Sequence, residues 1–261
     1  MAQHRVVVVG GGLAGLSSTM KLAELGVQVD LLSLTPVKRS HSVCAQGGIN
    51  SCNDQTRQLG DDEWKHFDDT VYGGDFLNHQ PPVKEMAYWA PKVIDLMDRL
   101  GVPFNRTGEG FIDRRRFGGT LYKRTAFAGA TTGQQLLYAL DEQVRRQESQ
   151  GRVNKYEFWD FLGPMLDDSG RCRGVVAQDM VSMEMRAFPA DAVVVATGAW
   201  LPELISPPVR VAVRAGRGYS FTVPVERAMP CPVYLPDIRV ACTPYQGAMR
   251  VAGTMEFRGP D

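Results

Sequence analysis

Apolar and polar positions divide the chain into segments of different period. From Arg5, the run RVVVV reads as a strand buried on both faces, and Val27 to Leu34, VQVDLLSL, reads as a second strand. Between them Leu16, Met20 and Ala23 recur at helical spacing, and Leu25-Gly26 supplies the stop. Pro82 to Leu100 is predicted helical with apolar positions Met86, Trp89, Val93, Ile94 and Met97, kinked or divided at Pro91. Thr132 to Gln147 is predicted as another helix, apolar at Leu136, Leu137, Leu140 and Val144. From Lys155 the helical period gives way to alternation. KYEFWDFLGPML, the turn DDSG, CRGVVAQDMVSMEMRAFP and DAVVVATG predict a meander that returns to the sheet with a buried strand at Val193 to Val195. Met183 and Met185 are expected to share one buried face of a strand.

Chemistry enters at the first turn. Gly10, Gly12 and Gly15 fit the G-x-G-x-x-G pattern, which makes Gly10, Gly11, Gly12, Leu13, Ala14 and Gly15 the candidate dinucleotide cradle. The first glycine of such a turn permits the tight bend, the second lets a diphosphate approach the backbone, and the third lets the helix pack on the strand. The ligand's charge then rests against the free N–H groups that open the helix. A lone fingerprint is weak evidence, but here a strand precedes it and a helix and strand follow. Ser33 stands where, about 20 residues on, an acid usually binds the ribose hydroxyls. Asp30, the nearest acid, lies earlier in the strand. Serine hydrogen-bonds a ribose hydroxyl with less discrimination, so the nucleotide must be identified from other residues.

Composition narrows the classes. At 261 residues the chain can bury a large core, as one big domain or two small ones. Lys and Arg number 29, as do Asp and Glu, and no basic run alternates with aromatics, so nucleic acid is not an expected partner. No stretch of about 18 apolar residues is present to span a membrane. Cys44, Cys52, Cys172, Cys231 and Cys242 form no C-x-x-C pair, which argues against a metal site or disulfide framework and for a reducing cytoplasm. Cys44 reads as a packed small side chain, and His4, His66 and His79 as surface or capping residues.

The run from Ser33 to Asn50, SLTPVKRSHSVCAQGGIN, places His41 after the dinucleotide unit and before a glycine pair. Its KRSHSVCAQGGIN, followed by HFDDTVYGGDFLNHQPPVK, FNRTGEGFIDRRRFGG and RTAFAGATTGQQLLYALDEQ, resembles the flavoprotein subunit of succinate dehydrogenase and fumarate reductase over about residues 3–198. The resemblance implies an α/β fold: a Rossmann-like FAD-binding domain over 1–198, of the two-dinucleotide-binding-fold flavoprotein type, with a β-meander. It implies FAD as cofactor, with Arg39, Ser40, His41 and Ser42 beside it. In that family the histidine of the RSH motif carries FAD covalently through the flavin 8α carbon, which makes His41 the candidate attachment site. Neutral imidazole is a competent nucleophile near neutral pH. Gln46, Gly47 and Gly48 would lie beside the isoalloxazine, and Ala196, Thr197 and Gly198 would approach the FAD. The resemblance also implies a dicarboxylate substrate, an iron–sulfur subunit and membrane-anchor subunits. The chain itself would be cytoplasmic, held through those partners at the inner membrane. Arg114, Arg115 and Arg116 stay open between a solvated face and a place near the flavin and dicarboxylate pocket.

The texture changes after Gly198. Nine of the 16 prolines fall in the last 63 residues and no lysine follows Lys155, which sets a boundary between 1–198 and 199–261. GAWLPEL, AGRGYSFTVP, PVYLPDIRVACTP and RVAGTMEFRGPD resemble the substrate-domain start of D-amino-acid dehydrogenases and related glycine and sarcosine oxidase-like flavoproteins. That implies a partial antiparallel β substrate-domain segment and leaves an amino acid open as substrate. Gly218 to Val223 and the hairpin around Tyr245 to Ala248 are predicted as strands of a sheet over the flavin. The cap motifs of the succinate dehydrogenase family do not occur, so no residue is assigned a catalytic role. Arg217 is the nearest candidate for a carboxylate contact, with a salt bridge the plainer role. Three readings stand: a succinate dehydrogenase-like oxidoreductase, an amine or D-amino-acid dehydrogenase, and a flavin-binding or unfolded fragment with no turnover.

Overall fold

Val6, Val7, Val8 and Val9 are all buried, as a strand covered on both faces requires, and they form β1 (Arg5–Val9). α1 (Leu13–Glu24) follows and sets Leu16, Met20 and Ala23 into one core with Val6, Val8, Val29 and Leu31. β2 (Gln28–Ser33) runs parallel to β1, with Val6 beside Val29 and Val8 beside Leu31. This computed structural model describes residues 4–206, 213, 215–227, 229–235, 238 and 240–258. The chain divides into two units, Met1–Gly198 and Ala199–Asp261.

In the first unit β2 leads to two short 3-10 turns, Val37–Arg39 and His41–Cys44, and then to β3 (Ile49–Asn50). α2 (Asp54–Gln58) and α3 (Glu63–Gly73) begin on Asn53 and Asp62, whose side chains accept the N–H groups of Thr56 and Lys65. α4 (Gln80–Arg99) is one continuous helix with Pro91 inside it. Its buried stripe is Ala87, Ala90, Ile94 and Met97, whereas Met86, Trp89 and Val93, expected on the apolar face, are exposed. Two stripes of the same period run side by side, offset by one residue. The small alanines win because they let the helix approach its neighbours closely.

β4 (Arg114–Arg115) and β5 (Thr125–Ala126) join β3 in a short antiparallel ribbon, in the order β3-β5-β4. α5 (Thr132–Ser149) packs on α1 and buries Leu136, Leu137, Leu140 and Val144, as its spacing predicts. β6 (Val153–Glu157) adds to the parallel sheet. KYEFWDFLGPML is not one strand: Lys155 to Glu157 end β6, and Phe158, at φ 64°, turns the chain into β7 (Trp159–Leu166). β7, β8 (Cys172–Asp179) and β9 (Met185–Pro189) form an antiparallel meander. The rings of Tyr156, Trp159 and Phe188 meet edge to face at 5.0–5.7 Å beside it.

β10 (Ala192–Val195) returns beside β1, which gives the parallel sheet the order β10-β1-β2-β6. Val193 to Val195 are half-buried rather than buried, because β10 is an edge with a strand on one side only. Met183 and Met185 are both exposed, contrary to expectation. Met183 lies in the β8–β9 turn at φ 62°, and the turn breaks the alternation that a shared face would need.

In the second unit α6 (Leu201–Ile205) precedes β11 (Ala215–Pro224), β12 (Val233–Leu235), β13 (Val240–Tyr245) and β14 (Ala248–Arg258). They form an antiparallel sheet in the order β11-β14-β13-β12. Gln246 at φ 44° and Gly247 at φ 78° make the tight hairpin expected between Tyr245 and Ala248. Arg217 lies opposite Glu256 in the β11–β14 register. No described residue of this unit is buried. Among the described residues, no helix is long and apolar enough to cross a membrane.

Candidate functional site

The turn between β1 and α1 is built around missing side chains. A Cβ on Gly15 would fall 1.7 Å from the Gly10 carbonyl oxygen, and one on Gly10 would fall 2.4 Å from that of Ala196. One glycine therefore lets α1 close on the turn, and the other lets the exit of β10 close on it. Gly10 also takes φ 115°, a conformation other residues rarely adopt. A Cβ on Gly11 would meet Ser33 Oγ at 2.3 Å and Val37 Cγ1 at 2.8 Å. Gly10, Gly11, Gly12, Leu13, Gly15, Ser33 and Ala196 are thus gathered at the carboxyl ends of the parallel strands, where open α/β sheets receive ligands.

The start of α1 has no side-chain cap and no acid in its first turn. The Leu13 N–H donates to Ser42 Oγ at 3.3 Å. The first-turn N–H groups and the positive end of the helix dipole suit a diphosphate. Ser33 donates its hydroxyl to the Thr35 carbonyl at 2.6 Å, so its lone pairs can accept from another hydroxyl. Asp30 is buried and accepts from Asn154 at 2.8 Å, a bond between β2 and β6 rather than toward a ligand. Ser40 Oγ and Thr197 Oγ1 are buried atoms with no hydrogen-bond partner among the described residues. Ala14 and Gly198 are exposed.

His41 opens the second 3-10 turn and is exposed, as is Arg39. The loop around it is fastened on several sides. Val37 N–H donates to Glu157 Oε1 at 3.0 Å, and Lys38 Nζ lies 3.4 Å from Asp141 Oδ2. At the start of α5, Gly133 N–H donates to the Ala45 carbonyl at 2.7 Å. Cys44 is exposed rather than packed, because its neighbour Val43 takes the place against the core.

Gln46, Gly47 and Gly48 lead from this loop into β3. A Cβ on Gly47 would strike the Phe117 ring at 2.2 Å, and one on Gly48 the Ala126 carbonyl oxygen at 2.4 Å. Arg115 Nη2 donates to the Gln46 carbonyl at 3.3 Å and the Gly47 carbonyl at 2.8 Å, with its guanidinium 4.2 Å from the centre of Phe127. Successive strand residues point to opposite faces, and Arg114 reaches the far end of β3, donating to Ser51 O at 2.7 Å and Ser51 Oγ at 2.9 Å. Two of the three arginines therefore strap β3 across β5, and Arg116 alone is exposed.

Under this ribbon lies a polar cluster that sequence reasoning missed. Arg124 is 0% exposed and donates a fork of hydrogen bonds to Asp61, at 2.6 and 3.1 Å, with Asp69 Oδ2 2.9 Å from Nη1. Cys52 Sγ donates to the same Asp61 at 3.4 Å, and burial, followed by the Asp61 charge, pushes its thiol up to about 12. The available signal was an arginine within the apolar run RTAFA, with aspartate pairs upstream in GDDEW and HFDDT, which hold Asp61 and Asp69.

His66 belongs to this cluster and not to the surface: it is 3% exposed. Burial first, then the charge of Arg124, lowers its imidazole from 6.5 to about 4, so it is neutral in the fold. The unfolded chain takes up the proton at higher pH than the folded chain. The resulting stability is complete above about pH 6.5 and lost as pH falls toward about 4. Unfolding measured across that window should show the parent losing on the order of 2 kcal/mol more than a His66→Gln variant. His79 and His4 are exposed as expected, the first at the N-cap of α4 and the second 3.4 Å from Asp191.

Two strand exits meeting at a helix start whose N-cap is a glycine, with unpartnered hydroxyls nearby, fit a dinucleotide. The model of the FAD binding domain family matches residues 5–217. The chain belongs to this family. FAD is its cofactor. The succinate dehydrogenase flavoprotein subunit of Bacillus subtilis (strain 168) is 64% identical over 198 residues, which are 76% of this FAD-binding chain and 34% of that protein. A fumarate reductase flavoprotein subunit of Mycobacterium tuberculosis is 36% identical over 201 residues, 76% of this chain and 33% of that protein. Among solved structures, E. coli quinol fumarate reductase FrdA matches with a TM-score of 0.68 at 32% identity, covering 76% of this chain and 33% of its own. The chain spans about a third of the length of the relatives it matches.

Proposed function

We propose that this chain is the FAD-binding part of a succinate dehydrogenase or fumarate reductase flavoprotein and serves the interconversion of succinate and fumarate. Its partners on this reading are an iron–sulfur subunit and membrane-anchor subunits, which would hold it at the cytoplasmic face of the inner membrane. The observation that carries the reading is the loop from Val37 to Gly48, which joins the glycine turn to the β3 ribbon and presents His41.

Bound FAD supplies a hydride acceptor. Gly10, Gly11, Gly12, Leu13, Ala14 and Gly15 hold the diphosphate, and Ser33 accepts from a ribose hydroxyl. Ala196, Thr197 and Gly198 close on the cofactor from the exit of β10. Arg39, Ser40, His41 and Ser42 line its flavin side, with His41 as the covalent attachment point. Gln46, Gly47 and Gly48 would lie beside the isoalloxazine, the two glycines letting Phe117 and the Ala126 backbone pack against this edge of the loop.

Residues 1–198 form the FAD-binding domain in this proposal, and 199–261 the start of a β-rich substrate segment of the D-amino-acid dehydrogenase type. The antiparallel sheet, with no buried side chain among its described residues, supports a segment built to be covered. That sheet keeps an amino-acid substrate as the second reading.

Anaerobic addition of succinate to the purified yellow protein should bleach the flavin, and acid precipitation should leave the colour with the pellet. A His41→Ala variant should release its colour into the acid supernatant. Bleaching by D-amino acids instead would select the second reading, and bleaching by neither would leave flavin binding without turnover.

A further inference from the structure

We infer that Asp141, buried midway along α5, positions the loop that carries His41 through its ion pair with Lys38; the inference rests on the FAD reading of that loop. The Asp141 side chain is 0% exposed, and an isolated carboxylate at such a place would be costly. Three cations meet it. Lys155 Nζ lies 3.1 Å from Oδ1, Arg145 Nε 2.9 Å from Oδ2, and Lys38 Nζ 3.4 Å from Oδ2.

The three differ in what they connect. Arg145 is one turn along the same helix, and Lys155 comes from the adjoining β6, so these two hold the carboxylate in the core. Lys38 belongs to the first 3-10 turn, and its ammonium also stands 5.2 Å from the centre of the Tyr138 ring, one turn before Asp141. α5 therefore offers the loop a slot made of an aromatic face and a carboxylate.

A second acid holds the preceding residue. Glu157, at the end of β6, accepts the Val37 N–H at 3.0 Å, and Lys155 stands 3.9 Å from the same carboxylate, which ties the two acids together. The Val37 side chain is buried, and with Ser33 it is one of the two groups that a Cβ on Gly11 would strike. Anchoring Val37 and Lys38 therefore registers the loop against the glycine turn as well as against α5. His41 comes three residues after Lys38, at the start of the next 3-10 turn, so little slack separates anchor and imidazole.

A purely stabilising role for Asp141 makes Lys38 dispensable, and that is where the two accounts part. Lys38→Met removes the loop's ion pair with α5 but leaves the Val37–Glu157 bond in place and Asp141 paired with Lys155 and Arg145, so the fold is kept. In the FAD-loaded protein, Lys38→Met should speed tryptic cleavage after Arg39 about fivefold and raise flavin fluorescence, while Lys38→Arg should behave as the parent. Asp141→Asn should show the same two changes together with a lower melting temperature. Parental cleavage rate and fluorescence in Lys38→Met would overturn the inference. A parent that retains no FAD overturns the FAD reading instead, and the cleavage rates of the same proteins still decide whether Lys38 anchors the loop.

Discussion

Arg124→Met is expected to cost about 3–5 kcal/mol of stability, because removing one partner of a buried ion pair leaves the other charge unsolvated. Asp61, with its side chain 1% exposed, would lose both arms of the guanidinium fork, and Asp69 its cation. A loss of that size is a large share of the roughly 5–15 kcal/mol that holds a domain together. The damage should reach the site, because the Arg124 carbonyl accepts from Ser51 N–H at 2.9 Å and from Arg114 at 3.1 Å, at the far end of β3. Urea unfolding is the direct measurement. Arg124→Lys should fall in between, keeping the charge but not the fork. Arg124→Met with Asp61→Leu should recover part of the loss, since an unpaired charge costs more than an absent pair.

Gly15→Ala should abolish FAD retention while leaving the unloaded fold recognisable. Its methyl group would lie 1.7 Å from the Gly10 carbonyl oxygen, which is backbone and cannot swing aside. α1 must then withdraw from β1, and its N–H groups leave the position a diphosphate needs. With His41→Ala as the common background, which removes the covalent attachment, we expect FAD binding weakened by about 100-fold or more, equivalent to about 2.7 kcal/mol, in a fluorescence titration. Gly108→Ala is the matched control: a Cβ there meets nothing within 4 Å, and FAD binding should be unchanged. Equal affinity of Gly15→Ala and parent would remove the glycine turn from the site.

What could be read from the sequence was what is local. β1, α1 and α5 declare themselves because strand and helix periods place their buried residues without reference to any other segment. α4 shows the limit: its two apolar stripes have the same period, and which faces inward depends on how near its neighbours come. The break at Phe158 had no signature, since a left-handed aromatic looks like any other residue in an alternating run. At the site, the glycine turn and the His41 loop were legible as motifs, and Ser33 as the departure from one. Their supports were not. Arg124 and Asp61 are 63 residues apart, Lys38 and Asp141 103, and Val37 and Glu157 120. A charged residue reads as surface until the fold supplies its partner, which is why His66, Arg114 and Arg115 were misplaced or left open.

The two arginine straps make the ribbon a parity device. Because neighbouring strand residues face opposite ways, slipping β4 by one residue against β5 would exchange the faces from which Arg114 and Arg115 depart. The grip on Ser51 and the grip on the Gln46–Gly47 carbonyls would then be lost together. Length variation in the loop from Asn105 to Asp113 should accordingly be tolerated as long as Arg114 stays opposite Ala126, a constraint on how such chains can drift that acts on register and leaves composition free.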